Sequence, residues 1–94
     1  MARTYGQKSS IGTSAVAAVG SATPLDYGVV VKALAGNSGT VYVGFDSSVT
    51  SSTGFPLAAG EVMFFEVAAL AGRDLAALYL IGSASGQAAA YFAY

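Results

Sequence analysis

The sequence has no cysteine and no histidine, and only four basic and five acidic residues among its 94. Without cysteine no disulfide can staple the fold. Without either residue, zinc coordination of the usual nitrogen and sulfur kind is closed off. The same two absences remove the commonest general base and the commonest thiol nucleophile. The carboxylates Asp26, Asp46, Glu61, Glu66 and Asp74 are scattered. Glu61 and Glu66 stand five apart in one strand-like run, on opposite faces, so they cannot work as a pair. A serine nucleophile would have only Lys8 or Lys32 as its base. The reading is that this is not an enzyme and needs no cofactor.

Positive charge is equally scarce. No basic run exists to neutralise phosphates, which argues against a nucleic-acid partner. "GNSGTVYVG" is rich in glycine but matches no phosphate-binding loop, and no helix follows it to present amide groups to an anion. "DSSVTSSTG" offers one carboxylate, Asp46, which is too few for a hard-cation site. Residues 75–94 carry no charge over the length of a membrane span. "GSASGQ" breaks that stretch in its middle, so two strands account for it better than a span. "AVAAVGSA" is too short and weakly apolar for a secretory signal. The lack of cysteine fits assembly in a reducing cytoplasm.

What is present is apolar: 54% of the residues are hydrophobic and 10% charged, against about 25% charged in an ordinary soluble domain. A chain of this mass should fold as one domain exposing roughly 5,000 Å² and burying about 63% of its unfolded surface. Small domains reinforce such a core with disulfides, metal or oligomerisation. With the first two closed off, the composition points to a homo-oligomer.

The periodicity is β throughout. Six strands are expected, at about 15–19, 28–34, 40–45, 61–67, 75–81 and 88–92. Asn37-Ser38-Gly39 reads as a hairpin turn between the second and third. "VAALAGRDLAALY" permits one short helical turn near 74–77, capped by Asp74. In the last three strands neither face is polar: Met63 and Phe65 oppose Val62 and Phe64, and Tyr91 opposes Phe92 and Tyr94. Strands apolar on both sides need cover on both sides, and a chain this short would draw the second cover from neighbouring subunits. The polar residues 1–14 read as a flexible, extended N-terminal arm, with residues 15–94 as a single domain.

Three groups stand out as interface candidates. Arg3 and Tyr5 lie in the arm. Phe55-Pro56-Leu57 forms an apolar clip after a polar loop, with Pro56 fixing the backbone. Tyr91, Phe92 and Tyr94 lie in the uncharged final strand, an edge that would be sticky if left open.

"GTVYVGFDSSVTSSTGFPLAAGEVMFFEV", followed by "LAALYLIGSASGQAAAYFAY", resembles a pattern in small virion proteins of tailed bacteriophages. The resemblance covers about residues 28–94. It implies an all-β protein, a small antiparallel β-sandwich of jelly-roll-like kind, which decorates or cements the capsid. It further implies the major capsid protein as partner, a homotrimer as the preferred assembly, and the capsid surface of the virion as its location. A tail, baseplate or fibre component, or a carbohydrate-binding module that uses exposed tyrosines, is the alternative.

Overall fold

A computed structural model describes residues 3–94. It is all-β, with eight strands in two antiparallel sheets. The strands are β1 (Thr4–Ile11), β2 (Val16–Ala17), β3 (Gly28–Ala33), β4 (Val41–Gly44), β5 (Phe55–Leu57), β6 (Val62–Glu66), β7 (Tyr79–Gly82) and β8 (Gln87–Ala93). One sheet has the order β1-β8-β3-β6 and the other β2-β7-β4-β5. No α-helix occurs among the described residues.

One cluster of buried side chains fills the space between the sheets. Val29, Val31 and Ala33 of β3, Phe65 of β6 and Ala89 and Ala93 of β8 come from the first. Val41 and Val43 of β4, Leu57 of β5 and Leu80 of β7 come from the second. The inward residues recur every second position, as a pleated strand requires. Each fully buried Val or Leu contributes roughly 1.5–3 kcal/mol relative to exposure. The chain exposes 4817 Å², close to the size-based expectation for a single domain.

Several expectations change. Residues 4–11 do not form a free arm: β1 pairs with β8 from Thr4↔Ala93 to Lys8↔Ala89, and Ile11 enters the core. The ladder gives this polar stretch a backbone reason to order that its side chains do not advertise. Met1 and Ala2, the start of the expected arm, lie outside the described residues.

The 37–39 turn does not close a hairpin either. β3 and β4 belong to different sheets, and the connection between them is tied to the start of β8. The Asn37 side chain donates to the Ala88 carbonyl at 2.8 Å and accepts from the Ala88 amide at 2.9 Å, and so mimics a paired strand. Gln87 is fully buried. Its carbonyl oxygen accepts from the Gly39 amide at 2.9 Å, and its amide donates to Ser38 Oγ and to the Ser85 carbonyl, both at 3.0 Å. A β-carbon at Gly39 would displace Ser83 Oγ, which accepts from the Thr40 amide at 2.9 Å.

The expected strand over 75–81 begins only at Tyr79. Before it run three single 3-10 turns, Val67–Ala69, Ala71–Arg73 and Leu75–Ala77. The positive φ values of Gly72 (65°) and Arg73 (55°) stop the Ala- and Leu-rich segment from winding into one α-helix. Asp74 caps the last turn as expected: its Oδ1 accepts from the Ala76 amide at 2.8 Å and also from the Thr23 amide at 2.8 Å.

Replacing Gln87 by Leu leaves the Gly39 amide without its partner in a buried place. The expected cost is about 1–3 kcal/mol. Urea unfolding should show a lower midpoint with an unchanged slope; an unchanged midpoint would remove this side chain from its assigned role.

Candidate functional site

The outer face of the β1-β8-β3-β6 sheet is where half of the sequence-selected residues meet. Strand register puts Tyr5 opposite Phe92, Phe92 opposite Val30, and Val30 opposite Phe64. These four residues form one apolar row across all four strands. Tyr5 is 79% exposed, Phe92 47% and Phe64 42%. Inward neighbours on the same strands are buried, so the row is the solvent side of the pleat.

The next row toward one end contains Tyr94, Gly28 and Glu66. Gly28 is paired with Glu66, and it exchanges both backbone hydrogen bonds with Tyr94, each at 2.9 Å. Arg3 stands beside Tyr94 on the β1 side and shares a depression with it, Val30 and Phe92. Gly28 is needed here, because a β-carbon would collide with the Phe65 backbone carbonyl and also fall 2.7 Å from Phe64 Cζ. The row toward the other end pairs Gln7 with Ala90, Ala90 with Lys32, and Lys32 with Val62.

The rings touch one another across the face. Tyr5 and Phe92 have centroids 6.4 Å apart, Phe92 and Tyr94 5.7 Å, and Tyr94 and Tyr27 5.8 Å. Such edge and tilted contacts are worth ~0.5–1.5 kcal/mol each beyond area burial. They keep the aromatic surface ordered while its outer side stays wet.

Four of the eight expected interface residues, Arg3, Tyr5, Phe92 and Tyr94, share this face. Tyr91 does not. It is half-buried and packs against the core, with its ring over Gly6 of β1, where a β-carbon would lie 2.9 Å from its hydroxyl. Phe55, Pro56 and Leu57 form the edge strand β5 of the other sheet. Leu57 is buried, whereas Phe55 is half-exposed and meets Phe65 edge-on with centroids 6.0 Å apart. Phe45 meets Phe65 in the same way at 5.6 Å. Phe45, Asp46, Ser48, Thr53, Phe55 and Pro56 border a cleft of about 570 Å³. Val30 and Phe64 belong to this face but were not singled out from sequence; Tyr27 also belongs to it and stood out only as one of six tyrosines suited to an interface. The alternation did set Phe64 opposite Phe65, and only cross-strand register places it in the row with Tyr5.

The polar loop before β5 is held by its own side chains. Asp46 Oδ1 accepts from Ser48 Oγ at 2.6 Å and from the Ser48 amide at 3.0 Å. These two bonds, the side-chain one first, hold the Asp46 carboxyl below the usual aspartate range against a small opposing desolvation. Among the described residues no three acidic side chains converge as a metal cluster, and no helix is long and apolar enough to cross a membrane. No family model, curated protein or solved structure matches the chain.

Two outcomes are expected. Tyr91→Ala should destabilise by about 2–3 kcal/mol through a partly buried void, while Val62→Thr, on the outer face, stays within about 0.5 kcal/mol because its side chain faces solvent. Chemical denaturation of both separates the inner from the outer face, and equal losses would refute the assignment. For Asp46, a lowered folded-state value means stability present above its unfolded value and lost as pH falls through the folded one. Ser48→Ala should therefore raise the Asp46 titration midpoint, read by NMR, toward the ordinary aspartate value.

Proposed function

We propose that this chain is a structural subunit of a bacteriophage particle that decorates or cements the capsid. It acts as a homo-oligomer, its partner is the major capsid protein, and its place after assembly in the host cytoplasm is the virion surface. The observation that carries the reading is the uncovered apolar row Tyr5–Phe92–Val30–Phe64. An antiparallel sheet with one free side ordinarily presents polar residues there. Contiguous apolar surface of this kind marks a protein–protein contact.

We also read the two sheets as the halves of a jelly-roll sandwich. Strand 1 pairs with 8 and 3 with 6 in one sheet, and 2 with 7 and 4 with 5 in the other. That pattern arises when a ribbon of four antiparallel pairs folds over on itself, and jelly rolls are frequent in viral shells. Fold supports function only by analogy, so the exposed face carries the weight. The resemblance over residues 28–94 supports the choice of a phage particle.

A cement protein does its work by burying apolar surface against several subunits at once. Repetition on a lattice turns individually weak contacts into firm retention. The reading is tested by mixing the purified chain with shells assembled from major capsid protein. Co-sedimentation, and a higher disassembly temperature for the shells, are expected with the wild type and lost with Phe92→Asp. A chain that never co-sediments with shells would overturn the reading.

A further inference from the structure

We propose that the outer face of the β1-β8-β3-β6 sheet binds a second copy of this chain about a two-fold axis running along the strands. The proposal deepens the functional reading above, from which it takes only that this face is covered by protein.

The charges on the face decide the occupant. Arg3 stands on the β1 side of the Tyr94–Gly28–Glu66 row, and Glu66 ends that row on β6. A two-fold axis along the strands, lying between β8 and β3, lays β1 of one copy over β6 of the other. Arg3 of each copy then faces Glu66 of its partner, so one row makes two opposite-charge contacts. The same operation sets Tyr5 over Phe64, ring against ring, and Phe92 over Val30, ring against aliphatic side chain. A two-fold axis running across the strands instead lays Arg3 over Gln7 and Glu66 over Val62, and neither charge meets a partner. A three-fold axis joins two different patches of surface, which leaves a self-complementary row unused. The expected homotrimer is replaced in this proposal by a dimer.

The area is sufficient. At ~200 Å² for a fully exposed ring, Tyr5, Tyr27, Phe64 and Phe92 together leave about 470 Å² of aromatic surface open. Two copies contribute about twice that before Val30, Tyr94 and Val62 are included, and a specific interface needs a total of ~1,000 Å² or more. Arg3 and Glu66 belong to the rim, where they set register and orientation; Lys32, on the central strand β3, falls over Ala90 at the other end of the face and keeps its ammonium in water, while the rings supply the burial.

The test is the solution mass of the purified full chain, measured by light scattering and sedimentation over a range of concentrations, without shells. A two-copy mass is expected. Arg3→Glu alone and Glu66→Arg alone should each weaken the dimer about tenfold or more, since each replaces two attractions with two repulsions. The double variant Arg3→Glu with Glu66→Arg should recover the wild-type dissociation constant. Phe92→Asp should give a folded monomer, with folding checked by circular dichroism. A wild-type monomer at every concentration, a trimer, or a charge swap without recovery overturns the proposal. If the wild type is a monomer yet Phe92→Asp still abolishes shell binding, the face meets the capsid: the functional reading stands and the dimer falls. If the dimer behaves as expected and shells are not bound, the dimer stands and the functional reading falls.

Discussion

Two backbone ladders on either side of β8 hold the molecule together. One joins it to β1 at the beginning of the chain, and the other joins it to β3 in the middle. β8 therefore completes the sheet that β1, some eighty residues earlier, entered. At its entrance, the buried Gln87 amide and the Asn37 side chain fasten the β3–β4 crossing to the same strand. Remove β8 and β1 has no neighbour, β3 loses one edge, and the crossing between the sheets loses its anchor. Most of these contacts span long stretches of sequence, which makes this a slow-forming topology in kind.

This long-range dependence explains what could be read in the sequence and what could not. The strands 28–33, 41–44, 62–66 and 87–93 were legible within a few residues, because inward Val, Leu, Phe or Ala alternates with something else along each. β1 was not, because its inward positions are Thr4, Gly6 and Lys8. None of these is a core residue, and the strand exists through its pairing with β8. β5 is three residues long with a proline in the middle, too short to show a period, whereas β2, two residues long, falls inside the strand expected at 15–19. Asn37-Ser38-Gly39 carried ordinary turn chemistry, but turn chemistry does not state which sheet the next strand will join. The deciding partners, Gln87 and Ala88, lie some fifty residues further on. Asp74 as a cap was legible because the cap is local.

The same distinction applies to the exposed face. Tyr5, Phe92, Tyr94 and Arg3 could be picked out as residues whose apolar bulk or charge lacked an obvious place. That they are neighbours, and that Val30 and Phe64 complete their row, follows only from register across β1, β8, β3 and β6. Tyr91 shows the converse. One position separates it from Phe92, and the pleat sends it inward to the core. A side chain's composition suggested an interface, but its parity along the strand decided otherwise.

The edges of the two sheets differ in how readily they would extend. β5 has three residues, one of them Pro56, and an edge is the place in a sheet that tolerates a residue with no amide hydrogen. β2 offers two residues. β1 is long, but its register slips between Lys8 and Ile11 and Ser10 has a positive φ of 57°, so its end bends away from a straight template. A sparsely charged, apolar chain crowded at high local concentration would ordinarily risk unlimited strand-by-strand growth into fibres. Three of the four edges offer that growth little purchase, and the fourth, β6, is a five-residue strand with Glu61 and Glu66 at its two ends. The proposed association runs through side chains on one broad face, and contacts made that way stop once the face is covered.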